Sequence, residues 1–180
     1  IWVLGWKKQL KLLNQNKNIK AVLFDLDGTL INSMSLHFNA WRKSIKKLYN
    51  ILIQPEEFYP LEGIKLKKIA PTILKKYNFD LKKINYEELI TLKEKHYLNN
   101  YKLKYYPFVK KTINLLKKKN IKIAIVSSGL KKRLNKSISI NFLKKFDTII
   151  TGDDTTKGKP SKQPFYKAMK NLNLSNDQCL

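Results

Sequence analysis

Two aspartates stand two positions apart in Asp25-Leu26-Asp27-Gly28-Thr29-Leu30, directly after the apolar run Ala21-Val22-Leu23-Phe24. A carboxylate is a competent nucleophile towards phosphorus and forms an acyl phosphate when it attacks. On extended backbone, side chains two residues apart share a side. Asp27 can therefore protonate a leaving oxygen that Asp25 displaces, then deprotonate the water that follows. Gly28 permits a sharp turn, and Thr29 is placed to hold Asp27 through its hydroxyl or backbone. By itself Asp-x-Asp-Gly is also ordinary surface-turn chemistry, so the reading depends on what else converges there.

Two further stretches qualify. Ser127-Ser128-Gly129 follows the apolar run Ile121–Val126, and Lys159 lies in Lys157-Gly158-Lys159-Pro160. Ser127 offers a hydroxyl, and its neighbours Ser128 and Gly129 offer N–H groups, to a phosphoryl oxygen. Lys159 supplies a point charge that grips a phosphoryl group and suppresses repulsion at Asp25. A Mg²⁺ held by Asp25 and Asp27 would neutralise the remaining charge on a phosphate ester. Taken singly, Ser-Ser-Gly reads equally well as a helix cap, and a Lys-Pro pair in a lysine-rich chain means little. Their order is the signal, each lying beyond its own strand.

The elements that must position these groups can be read from periodicity. Apolar, β-branched runs predict strands over 19–24, 121–126 and 146–151. Val109, Thr112, Ile113 and Leu116 mark one face of a helix over 108–119; a second helix is expected over 130–142. A third begins near Pro164, with Phe165, Ala168, Met169 and Leu172 on one stripe. Cys179-Leu180 fits the start of a further strand. Strands alternating with helices predict an α/β fold with a Rossmann-like parallel sheet, whose ligands lie beyond the carboxyl ends of the strands. Residues 35–104 interrupt the alternation with mostly helical sequence and are read as an inserted helical domain. The division expected is 1–18 as a leader or partial upstream segment, with 5–18 a short amphipathic helix or irregular, 19–34 with 105–180 as the α/β core, and 35–104 as the insert.

Composition sets the bounds. The 180 residues, 43% hydrophobic, suffice for one ordinary core and a small insert. A single cysteine, Cys179, excludes a disulfide framework and points to a reducing, cytoplasmic setting. No run approaches the ~18 apolar residues of a membrane span. The net charge of +24 suggests nucleic acid, yet of 37 basic residues only Arg42 and Arg133 are arginine. The lysines are spread over nearly every segment alongside heavy use of Asn and Ile. This reads as compositional drift that attracts small anionic substrates, with no specific nucleic-acid partner and no membrane partner expected.

Together, the Asp25–Leu30 stretch, Ser127 after its strand and Gly158-Lys159-Pro160 resemble the first three motifs of the haloacid dehalogenase superfamily. The likeness runs from about Lys20 to the end and is strongest to the β-phosphoglucomutase-like, sugar-phosphate phosphatase branch. It implies catalytic roles for Asp25, Asp27, Ser127 and Lys159, a Mg²⁺ cofactor, and a cap formed by 35–104. It also places His37 and Trp41 near the substrate, with His37 orienting Asp27 or shuttling its proton; a half-buried helix histidine is the alternative, and His96 reads as structural. The implied activity is hydrolysis of small phosphorylated metabolites through an aspartyl phosphate. A phosphomutase is the nearest alternative, and an inactive remnant or a basic nucleic-acid-binding protein the more distant one. Three departures stand out. Ser161-Lys162-Gln163 follows the Lys-Pro pair where relatives often carry a small residue, proline and an acid, and Leu61–Leu66 lacks the arginine some mutases place there. The acid pair of the fourth motif is not reached by Leu180, so a fragment is expected; Asp153-Asp154 matches an ordinary loop of the branch.

Overall fold

The computed structural model describes residues 18–99 and 102–180. Strands β1 (Ala21–Phe24), β2 (Lys122–Val126) and β3 (Thr148–Ile150) form a parallel sheet in the order β1-β2-β3. Ala21 lies opposite Lys122, and Ala124 opposite Thr148. The central strand is buried on both faces, which its uninterrupted apolar sequence demands. Ile123 and Ile125 join one core cluster with Val22, Leu26, Ile113 and Leu116, while Ala124 and Val126 join another with Ile150, Ala168 and Leu172. Each such side chain removed from water contributes about 1.5–3 kcal/mol. At the free edge of β1, Lys20 N–H donates to Gln178 O (2.8 Å), Leu180 N–H to Ala21 O (3.0 Å) and Leu23 N–H to Leu180 O (2.7 Å). Cys179 forms a parallel bridge with Ala21, so the chain's last residues do enter the sheet as a further extended segment.

Between β1 and β2 lie helices α1 (Met34–Tyr49), α2 (Pro55–Phe58), α3 (Leu66–Leu74) and α4 (Tyr86–Asn99), followed by α5 (Val109–Lys118) on the sheet. The first four enclose their own apolar cluster around Trp41, Ile45, Phe58, Ile73 and Leu89. The two chain segments joining this helical unit to the sheet run side by side. Asn32 N–H donates to Lys104 O (2.8 Å), Tyr106 N–H to Leu30 O (3.2 Å), and Ile31 bridges Tyr105.

After β2 come α6 (Lys131–Ser137) and α7 (Ile140–Leu143), and α8 (Gln163–Leu172) follows β3. The single helix expected over 130–142 is thus two. Ile138 and Ser139 both adopt extended backbone, which lets the β-branched Ile138 turn into the core. The strands are also shorter than the apolar runs that announce them, mainly at their amino ends: β1 and β2 stop at Phe24 and Val126 as expected but begin at Ala21 and Lys122, and β3 is trimmed at both ends. The expected leader helix falls almost entirely outside the described residues.

Candidate active site

β1 delivers Asp25 and Asp27 to the carboxyl edge of the sheet, and the turn that follows needs glycine. Gly28 has φ +78°, and a Cβ there would stand 3.2 Å from Met34 Cγ. β2 delivers Ser127 to the same edge. Ser127 is buried, and its Oγ accepts the Gly129 N–H at 3.0 Å. Ser128 and Gly129, rather than Ser127, line the cavity that Asp25, Asp27, His37 and Trp41 share. The loop after β3 brings Lys159, whose Nζ donates to Asp25 Oδ1 in a short ion pair. Groups more than a hundred residues apart thus meet at one edge.

Thr29 sits differently from the sequence expectation. Its hydroxyl approaches Asp25 Oδ2 at 3.4 Å, a long contact, and does not hold Asp27. Ser33, one residue before α1, takes that place, donating to Asp27 Oδ1 at 2.6 Å. His37 Nε2 stands 3.0 Å from the same oxygen. Arg133 adds two contacts, Nη1 to Oδ1 at 3.3 Å and Nη2 to Oδ2 at 2.9 Å. Four donors thereby occupy a carboxylate with about four acceptor positions.

Behind Asp27 the network continues into the helical unit. Lys93 is fully buried on α4; its Nζ is 3.0 Å from His37 Nδ1 and 2.8 Å from Glu94 Oε1. An ammonium has no acceptor, so Nδ1 must accept, and Nε2 then carries the proton given to Asp27. His37 is therefore neutral. Burial, then the Lys93 charge, push its pKa down to about 3. Lys93 itself falls to about 8, chiefly through burial, with Glu94 opposing. Burial alone would raise Asp27, but the Arg133 guanidinium overrides it and holds the carboxyl well below the usual range. Asp25 goes the other way. Its burial outweighs the Lys159 charge and raises its pKa.

Arg133 and Ser33 were not among the residues singled out from sequence. Arg133 carried one faint signal, as one of only two arginines in a lysine-rich chain, four residues after Gly129. The glycine is required. A Cβ at 129 would lie 1.8 Å from Arg133 Nη2. Asp153 and Asp154 serve the loop: Asp153 accepts the Lys131 N–H at the start of α6, and Asp154 accepts the N–H and hydroxyl of Thr151, all at 2.7 Å.

Among the described residues no group of three or more His, Cys, Asp or Glu is placed to hold a metal. Mg²⁺ needs fewer, being commonly held by one or two carboxylates with water and substrate phosphate. Asp25 fits that requirement, since its Oδ2 receives just the long Thr29 contact. The Asp27 side chain does not, its oxygens being taken by Ser33, His37 and Arg133.

The helical unit is drawn down over this edge. Lys65 Nζ donates to Thr155 O (2.6 Å) and Thr156 O (2.8 Å), and Ser128 Oγ donates to Gly63 O. The half-open cavity between them is about 50 Å³, far below the ~300–1,000 Å³ of sites that hold larger ligands.

Comparison with known proteins matches residues 22–180 to the haloacid dehalogenase-like hydrolase family. A phosphoglycolate phosphatase of Aquifex aeolicus is 34% identical, over 90% of this chain and 74% of its own. The pyrophosphatase PpaX of Bacillus mycoides is 30% identical, over 90% of this chain and 73% of its own. Among solved structures, a β-phosphoglucomutase from Clostridium difficile superposes with a TM-score of 0.74 at 27% identity, covering 89% of this chain and 74% of that one. No helix among the described residues is long and apolar enough to cross a membrane.

Proposed function

The chain belongs to the haloacid dehalogenase-like hydrolases and is an enzyme of the phosphatase type; we propose that it hydrolyses sugar phosphates or similarly small phosphorylated metabolites through an aspartyl phosphate on Asp25. The observation that carries this reading is the pairing of unlike environments on two adjacent carboxylates. Asp25 is partly open to the cavity and touched by a lysine, whereas Asp27 is set back behind it among four donors.

In the first step an Asp25 oxygen attacks phosphorus, and the bond from phosphorus to the leaving oxygen breaks. The substrate enters as its monoanion; Asp27 accepts that proton and passes it to the leaving oxygen. Lys159 sits against Asp25 Oδ1 and holds charge on the phosphoryl oxygens as it develops. Ser128 lines the cavity and offers its N–H to the same oxygens, while the Gly129 N–H is held by Ser127 Oγ, which fixes the turn from below. In the second step water attacks the acyl phosphate and gives its proton to Asp27; the bond from phosphorus to Asp25 breaks, and inorganic phosphate leaves. Asp27 is held ionised in the resting geometry, the state a base requires. His37 keeps it oriented through a neutral Nε2–H, with Lys93 fixing the tautomer. Asp25 would hold a Mg²⁺, which when bound would supply neutralisation of the phosphoryl charge. Residues 35–104 act as the cap, with Trp41 in its apolar wall.

The deciding experiment measures phosphate release from a panel of small phosphate esters with Mg²⁺, with and without Asp25→Asn. Release abolished by the substitution and by chelation is the expected result. Activity that survives Asp25→Asn would refute the nucleophile. A phosphomutase shares the first step and returns the phosphoryl group to a sugar hydroxyl. The likeness to β-phosphoglucomutase keeps it in view, and isomerisation of a hexose phosphate in the same assay would reveal it.

A further inference from the structure

Resting on the phosphatase reading, we infer that Glu62 makes the site select esters whose leaving group is neutral or cationic and reject those bearing a second anionic group. The cap side of the cavity is an apolar wall built from Trp41, Phe58, Leu61, Ile64 and Ile69, and Glu62 is the charged side chain in it. Three cations near this edge are committed elsewhere. Lys159 is on Asp25, Arg133 is on Asp27 and within 3.6 Å of Glu94, and Lys65, in the same loop as Glu62, donates to two backbone carbonyls of the core rim. A leaving group that extends from a phosphoryl group at Asp25 towards the helical unit therefore meets an exposed carboxylate that forms no ion pair among the described residues. Burial and the Asp25 charge both raise the Glu62 pKa, as expected of an acid that feels the site.

The physical consequence is discrimination by repulsion, a device that costs the preferred substrate nothing. A carboxylate or second phosphate on the leaving group meets Glu62 at the exposed rim of the cavity, where like charges repel at short range and salt screens them. Hydroxyls or an ammonium meet an acceptor. Phosphoglycolate and pyrophosphate, the compounds named in two relatives, fall in the rejected class.

The test compares kcat/KM for glycerol phosphate, phosphoethanolamine, phosphoglycolate and pyrophosphate in the unmodified chain, Glu62→Gln and Glu62→Lys. Ratios within each variant cancel any loss of folded protein. The expected result is a preference of about tenfold or more for the first two esters. The anionic-to-neutral ratio should rise about tenfold or more in Glu62→Lys, and less in Glu62→Gln. A wild-type preference for phosphoglycolate or pyrophosphate, or a ratio unmoved by Glu62→Lys, overturns the inference while leaving the phosphatase reading intact. No release from any ester, including p-nitrophenyl phosphate, removes the phosphatase reading and this inference with it.

Discussion

Arg133 and Asp27 face each other in a two-point ion pair, Nη2 to Oδ2 at 2.9 Å and Nη1 to Oδ1 at 3.3 Å, although 106 residues separate them. Arg133 is 2% exposed, stacks over the Tyr97 ring at 5.0 Å and lies 3.6 Å from Glu94 of α4. One side chain on α6 thus touches both Asp27 and the helical unit between β1 and β2.

Removing it should be costly. Arg133→Met leaves Asp27 and Glu94 as buried carboxylates short of a partner, a situation worth about 3–5 kcal/mol. Gly129→Ala should do similar damage by a different route, since its Cβ would occupy the place of Nη2. The two substitutions combined should cost much less than their sum, because they break the same pair. Urea unfolding of the single and double variants measures this, and full additivity would separate Gly129 from Arg133.

The same pair sets a pH limit. Asp27 has a folded pKa well below 3.8, so its stabilisation is complete above the unfolded value and is lost as pH falls towards the folded one. Asp27 should therefore stay ionised across the working range. In Arg133→Gln its pKa rises, and the Asp27 carboxyl carbon followed by carbon-13 NMR should titrate at higher pH. A profile superimposable on the wild type would deny Arg133 any hold on Asp27.

His37 makes a separate prediction. Its folded pKa of about 3 lies below the ordinary 6.5, so between these values the unfolded chain binds a proton that the folded one does not. Stability should fall by about 1.4 kcal/mol per pH unit from this group as pH drops below 6.5. His37→Gln should remove that part of the slope. Proton NMR of the imidazole checks the cause directly: the His37 resonance should not titrate between pH 5 and 8.

How far the sequence alone reaches can be judged residue by residue. Asp25 and Asp27 were legible because a buried strand running into a positive-φ glycine is a local pattern. Ser127 and Lys159 were legible because strand ends in a parallel sheet share one edge. Arg133, Ser33 and Glu62 were not, and for physical reasons. A lone arginine among lysines has no periodic signature, and the contact between Glu94 and Arg133 exists only once α4 packs against α6. Thr29 was assigned to the neighbouring carboxylate because turn geometry, which decides between Asp25 and Asp27, is invisible in residue types. The break at Ile138 was hidden for a related reason: its apolar side chain continued the helical stripe while the backbone left the helix.

Lys159 tests the nucleophile's environment. Its ammonium is the nearest charge lowering the pKa of Asp25, against a burial that raises it. Lys159→Ala should cut kcat by about 10²–10³, the ~3–4 kcal/mol that one aimed electrostatic donor supplies. It should also shift the acid limb upwards, because Asp25 loses the charge that favours its ionised form. A fall in kcat without a shift would mean that Lys159 acts on the phosphoryl group alone.

The clamp between cap and core gives the last prediction. Lys65 and Ser128 hold the loop before α3 to the rim through bonds to Thr155 O, Thr156 O and Gly63 O. A hydrogen bond nets about 0.5–1.5 kcal/mol, somewhat more with a charged donor, and partial exposure of these groups keeps the sum modest. Lys65→Met with Ser128→Ala should therefore raise the open population by about tenfold or more. Amide exchange over 62–66 and 155–158 should accelerate by the same factor, while the amides of β2 keep wild-type protection because its core is untouched. If opening limits product release, kcat rises or holds as KM increases. A fall in kcat with unchanged exchange would instead place Ser128 among the groups that hold the phosphoryl oxygens, and its contact with Gly63 would then be incidental to closure.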